Sequence, residues 1–271
     1  MDSPLNTWLL AHEVPLRLGI FFGVLAVMMG WEALAPRRRL ALARRARWPA
    51  NLGIVALNTV VARLVFPVAP VGVALWAEAR GWGLLAQVDL PLWAEAVITV
   101  VVLDLVIYGQ HVMVHHVPVL WRLHRMHHAD TGFDVTTGAR FHPLEILLSL
   151  AIKMAAVAVL GAPAVGVLAF EVLLNATAMF NHGNVGLPAG LDRVLRWITV
   201  TPDMHRVHHS DVVRETNSNY GFNLPWWDRL FGTYTDQPAA GQLGFTIGLE
   251  TFRDPAEARL DRLLTQPFRN N

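Results

Sequence analysis

Residues 91–128 read PLWAEAVITVVVLDLVIYGQHVMVHHVPVLWRLHRMHH. Crossing a bilayer takes roughly 20 mostly apolar residues at about 1.5 Å each, and 91–110 supplies them. The eighteen residues that follow hold six histidines. A membrane helix that runs straight into a block of imidazole places that block at one surface of the bilayer. His111 and His115 stand four apart, as do His124 and His128, so each pair shares a face of a helix.

Outward from this stretch the chain stays apolar. Residues 14–35 make a first spanning helix, with Arg17 near enough to its end to snorkel. PRRRLALARRARW at 36–48 carries six arginines and an interfacial Trp48, and reads as a cytoplasmic loop by the positive-inside rule. A second helix over 51–76 is interrupted by Arg63, Pro67 and Pro70. The stretch 145–181, broken at Gly161-Ala162-Pro163, predicts a helical hairpin whose short arms are partly re-entrant. Lys153 and Glu171 each lie nine residues from Ala162, so an antiparallel pair of arms brings them to one depth as an ion pair. Beyond 182 the chain is soluble in character. The expected fold is an all-α integral membrane protein of about three transmembrane helices plus a helical hairpin, with a cytoplasmic helical cap holding a histidine-rich dimetal site. Its expected parts are an N-terminal transmembrane region at 1–90, a histidine-box catalytic domain at 91–235 and a C-terminal tail at 236–271.

Composition agrees. Hydrophobic residues make up 54% and charged residues 16%, against a usual charged share of about 25%, and the mean hydropathy is +0.37. A net charge of +1 argues against nucleic acid as a partner. The absence of cysteine excludes disulfides, thiolate zinc sites, iron–sulfur clusters and cysteine nucleophiles. The N-terminus lacks the basic region and cleavage site of a signal peptide. The Ala/Arg-rich composition and an ending without an endoplasmic-reticulum retrieval signal point to a bacterial inner membrane, with the histidines on the cytoplasmic side.

Eleven of the twelve histidines fall between 111 and 209, only His12 lying outside. They form an HxxxH pair (His111, His115) and two HxxHH triplets, His124, His127 and His128, then His205, His208 and His209. Neutral imidazole suits Fe, Zn, Cu and Ni. Adjacent histidines on a helix point about 100° apart, so each HH reaches two different ions, or an ion and a supporting partner. Eight or more nitrogens exceed the four ligands of a structural zinc. They suit a dinuclear site.

HVMVH, HRMHH and HRVHH, in that order, resemble the three histidine boxes of the fatty acid hydroxylase/sterol desaturase superfamily, the membrane di-iron oxygenases. The likeness extends to the spacing of Asp104, Tyr108 and His111, to WRLHRMHH, FHPLE and NHGNV at 181–185, and to NSNYGFNLPWWDRLFGTY at 217–234. It covers about residues 95–235. It implies His111, His115, His124, His127, His128, His205, His208 and His209 as ligands, joined by His182 from a looser fourth box. Some members carry a histidine or glutamine where this chain has Ala178, which leaves one coordination position to water or another residue. His116 lies outside the ligand set, and His142 takes a supporting or substrate-channel role.

Asp104 and Tyr108 precede His111 by seven and three residues and share its face, as a carboxylate that orients a ligand imidazole should. Asn175, seven residues before His182, faces the same cavity. The resemblance implies two iron ions, with zinc as a substitute, and hydroxylation or desaturation of a membrane lipid (fatty acyl, sterol or related) by O2. An external ferredoxin- or cytochrome-type donor is expected, since no flavin or dinucleotide fingerprint is present; the arginines at 37–47 are the expected contact. Two other readings compete. A membrane zinc hydrolase lacks its HExxH and any glutamate inside a box, and a non-catalytic metal carrier or haem protein would string its ligands along a path.

Overall fold

A computed structural model describes residues 4–270, which form helices and turns without a β-strand. The helices that set the frame are α1 (Pro4–Ala11), α2 (Glu13–Leu34), α3 (Arg44–Val65), α4 (Pro70–Glu78), α5 (Leu92–His116), α6 (Pro118–His128), α7 (Pro143–Leu160), α8 (Ala164–Asn181), α9 (Ala189–Leu195) and α10 (Pro202–His208). Five segments are long and apolar enough to cross a membrane: α2, α3 with α4, α5, α7 and α8. This is the expected set of three spans and a hairpin. Their outer faces expose Phe22, Val27 and Leu64 at 60%, 67% and 78%. Such a surface would be untenable in water and is matched by lipid tails.

The second span differs from its expected form. The chain breaks at Phe66–Ala69, where Pro67 and Pro70 lack the N–H that would continue the helix, and α4 restarts with Pro70 in its first turn. It also begins at Arg44 rather than 51, so the second half of the arginine segment is helix, not loop. The cause is a stripe at helical spacing, Arg47, Asn51, Ile54 and Asn58, all buried against the cap. Arg47 is fully buried, gripping Asp130 with Nε and Nη2 at 2.6 Å each and Asp134 with Nη1 at 2.7 Å. Burial pushes the Asp130 carboxyl up, but Arg47 and Arg140 overcome it and hold the group below the usual carboxylate range. Gly132 makes room: a Cβ there would lie 2.1 Å from Arg47 Cζ.

Neighbouring arginines are also committed inward. Arg37 pairs with Asp203 at 2.8 Å, Arg38 donates to the Phe245 carbonyl at 2.6 Å, and Arg44 lies 3.3 Å from Glu32. Glu32 in turn accepts from the backbone N–H groups of Val135 and Asn184 at 2.8 Å each. The segment expected to be a free cationic surface is therefore the joint between bundle and cap, with Arg39 and Arg45 exposed.

Within the bundle, α8 touches α2, α4 and α5, and α5 also packs on α6 and α7. Leu103, Ile107, Val157, Val167 and Phe170 form the core between them. The α7–α8 turn depends on Gly161, at φ +65°, where a Cβ would meet the Trp82 carbonyl at 2.5 Å. With that turn set, Lys153 Nζ lies 2.8 Å from Glu171 Oε1, as the register predicts. Arg17 does not snorkel outward: its Nη1 lies 3.0 Å from Glu171 and 2.8 Å from Glu13. The C-terminal residues pack onto the cap. Leu263 is buried with Ala50, Ile54 and Met126, and Arg125 donates to the carbonyls of Gln266 and Arg269.

Candidate metal centre

Helix α5 runs past the expected 110 to His116, so His111 and His115 project from the end of a rigid span. Val117-Pro118 stops it, because the residue before proline disfavours helix, and α6 restarts with Pro118 in its first turn. That bend folds His124, His127 and His128 back over the end of α5. His182 caps the end of α8, and α10, opened by Thr201 and Pro202, supplies His205 and His208 with His209 next.

All nine histidines named from the sequence come together, and they sort into two groups. One holds His111, His115, His124, His128 and His208; the other holds His127, His182, His205 and His209. In each, one nitrogen per ring lies within 4.8 Å of all the others. Each HH dipeptide divides between the groups, as its angular offset requires: His128 and His208 serve the first, His127 and His209 the second. The groups abut, with the His128 and His209 rings 4.5 Å apart.

Hydrogen bonding fixes which nitrogen faces inward. His111, His182 and His208 place Nδ1 against the carbonyls of Tyr220, Ala178 and Ser218 at 2.7, 2.8 and 2.6 Å. A carbonyl only accepts, so each Nδ1 carries the proton and each Nε2 is a bare lone pair. His124 Nδ1 donates to Glu145 at 2.6 Å, and His115 Nδ1 lies 3.1 Å from Asn217 Oδ1. His111 Nε2 and His124 Nε2 then face each other at 3.2 Å, as do His127 and His182, with His182 and His205 at 3.1 Å. Between His111 and His124, both anchored through Nδ1, no proton is left to make that contact a hydrogen bond. Nε2 of His115 and His208, and both ring nitrogens of His128 and His209, are buried without a partner among the described residues. Such a cluster is costly unless a cation fills it. The donors fit two metal ions.

Burial, reinforced by the neighbouring imidazoles, holds His127, His128, His205, His208 and His209 well below the ordinary value, and burial pushes His182 down to about 4. Neutral imidazole is the ligand form.

The supporting residues rearrange the expectation. None of Asp104, Tyr108, His142 and Asn175 bonds to one of the nine rings. Asp104 accepts from Asn223 Nδ2, Leu224 N and Trp227 Nε1 at 2.8, 3.2 and 2.9 Å. It clamps the segment whose Tyr220 carbonyl holds His111. Tyr108 OH bonds Thr233 Oγ1 at 2.9 Å in the same segment. His142 caps α7, accepting from Leu144 N at 3.2 Å, while Nε2 reaches the Leu264 carbonyl at 3.3 Å; both nitrogens are thereby used. Asn175 donates to the Glu171 carbonyl at 2.8 Å and lines the cavity. His116 bonds Tyr220 OH at 3.1 Å, outside both groups, and His12 stacks on Trp8. The residue missed is Glu145. Its signal was present in FHPLE: a carboxylate entering a membrane helix in the first turn.

A cavity of about 410 Å3 opens on the site between α2, α3, α5, α7 and α8. His111, His124, Phe141, Glu145 and Ala178 line it at the metal end. Ala178 sits beside the four-histidine group, the one with fewer ligands.

The fatty acid hydroxylase family model matches residues 96–233. The ornithine lipid hydroxylase of Rhizobium tropici is 33% identical over 58% of this chain and 47% of its own length. The alkylglycerol monooxygenase of Xenopus tropicalis is 28% identical over 74% of this chain and 45% of its own, and the human one 29% over 58% and 34%. The chain thus spans less than half the length of these relatives. No solved structure matches it.

Proposed function

The chain belongs to the fatty acid hydroxylase family, and from that premise we propose that it is a di-iron, O2-dependent oxidoreductase that hydroxylates or desaturates a membrane lipid at an unactivated C–H bond. The observation that carries this is the pair of abutting histidine groups with Nδ1 protons tied outward and bare Nε2 atoms converging inward. His111, His115, His124, His128 and His208 would hold one ion, and His127, His182, His205 and His209 the other. Iron there would supply the activation of molecular oxygen and the electron transfers that side chains lack.

The chain does the rest. The carbonyls of Ser218 and Tyr220 and the Glu145 carboxylate fix the tautomer and ring angle of their histidines. The apolar wall of the cavity, with Phe21, Ile107 and Met179, presents hydrocarbon to the site and keeps bulk water from it. The names of the relatives support a lipid as substrate. An external ferredoxin- or cytochrome-type donor docks on the cap, and Arg39 and Arg45 are the arginines of its joint left free to meet it. The arginine-rich joint beside the cap favours a cytoplasmic active site, in a bacterial inner membrane.

The test is to purify the protein, reconstitute it with ferrous iron and measure O2-dependent formation of an oxygenated or unsaturated lipid, with lipid mass spectrometry of cells with and without the gene. Two bound irons and an O2-dependent product are expected. Iron-loaded protein with an electron donor that consumes no oxygen and changes no lipid overturns the reading.

A further inference from the structure

The cavity that meets His111 and His124 is apolar over most of its wall, yet Arg17, Arg63, Lys153 and Glu171 also line it. Lys153 lies eight residues along α7 from Glu145, about 12 Å of helix away from the histidines. Three cations thus line the cavity against two carboxylates, and both carboxylates are already taken, Glu145 by His124 at the metal end and Glu171 among the cations. Glu171 meets Lys153 at 2.8 Å and Arg17 at 3.0 Å. Lys153 carries three N–H donors and uses one. Arg63 has no hydrogen bond or ion pair with any described residue. Its five donors stand at the cavity wall in a segment that crosses the membrane, where an unpartnered guanidinium is costly.

We propose that this charged region seats an anionic lipid head group, a carboxylate or a phosphate, with Arg63 as its main partner and Lys153 lending the second contact. The proposal rests on the reading of the cavity as the lipid's. The hydrocarbon chain then runs along Phe21, Ile107 and Met179 to the histidines. The carbon presented there lies well down the chain, about 12 Å from the head group, rather than beside it.

The test is binding to the metal-free protein, read by native mass spectrometry from a neutral detergent. The probes share one chain: oleic acid, oleyl phosphate, oleyl alcohol and oleylamine, at a pH where the acid is ionised. The acid or the phosphate should bind roughly tenfold or more tightly than the alcohol, and the stronger of the two identifies the head group. Arg63→Gln should erase that preference and leave alcohol binding unchanged, and Arg63→Lys should keep part of it. Alcohol or amine binding as tightly as both anions overturns the proposal, and so does a preference that survives Arg63→Gln. Because neither metal nor turnover is involved, a protein that prefers the anion but oxidises no lipid overturns the oxygenase reading and not this one.

Discussion

Glu171 stands between two cations of different origin: Lys153 from the other arm of its hairpin, at 2.8 Å, and Arg17 from α2, at 3.0 Å. It therefore fixes the hairpin register and ties the hairpin to the first span together.

Removing Glu171 should cost more than removing either cation. Glu171→Gln leaves buried Lys153 without its carboxylate and Arg17 with Glu13 alone, at about 3 kcal/mol or more for a broken buried pair. Lys153→Met leaves Glu171 still paired with Arg17, and the double variant should be more stable than Glu171→Gln alone. Thermal unfolding in detergent reads all three. Simple additivity would mean that the pair contributes nothing.

Glu145→Ala should weaken metal binding by about 10- to 100-fold, the usual cost of losing the partner that orients a ligand histidine. Glu145→Gln retains an acceptor for His124 Nδ1 without the charge and should fall between. Metal content after dialysis against a graded chelator series measures it. Equal metal retention in all three proteins would show that Glu145 does not orient His124.

His142→Ala should cost about 1 kcal/mol of stability, the ordinary worth of a helix cap, and leave metal content intact. His142→Asn should restore most of it, since asparagine caps well. Loss of metal in both variants, out of proportion to stability, would instead return His142 to the neighbourhood of the ions.

Arg47→Met should destabilise by about 3–5 kcal/mol, because it leaves Asp134 without a cation and Asp130 with the more distant Arg140 alone, at 0% and 1% exposure. Arg47→Lys should not rescue it, since an ammonium cannot span both oxygens of Asp130 as Nε and Nη2 do. The loss should persist at high salt, as expected of a buried interaction. Unfolding temperatures across a salt series check each part.

What the sequence made legible follows from periodicity and chemistry that act locally. The 91–110 apolar run, the break at Gly161 and the matched offsets of Lys153 and Glu171 each needed only spacing. The nine histidines were legible because few other roles suit so many imidazoles together, and HH had to split in two directions. The arginine segment misled because charge reads as exposure when partners are invisible. Arg47 meets aspartates more than eighty residues away, and Arg37 meets Asp203 across 166. Asp104 faced the right way but acts at one remove, through a tail segment over a hundred residues distant. His142 was grouped with the other histidines by type, whereas its position before Pro143 marked a helix start.

Three of the five anchored Nδ1 protons go to main-chain carbonyls, at Ala178, Ser218 and Tyr220. A carbonyl is present whatever side chain its residue bears. Substitution at these positions changes volume and polarity around the centre without touching the proton that keeps Nε2 bare. The cavity can thus change shape at residues adjoining the centre, and with it, under the proposed function, the lipid it would admit. Glu145 has no such freedom, because there the acceptor is the side chain itself.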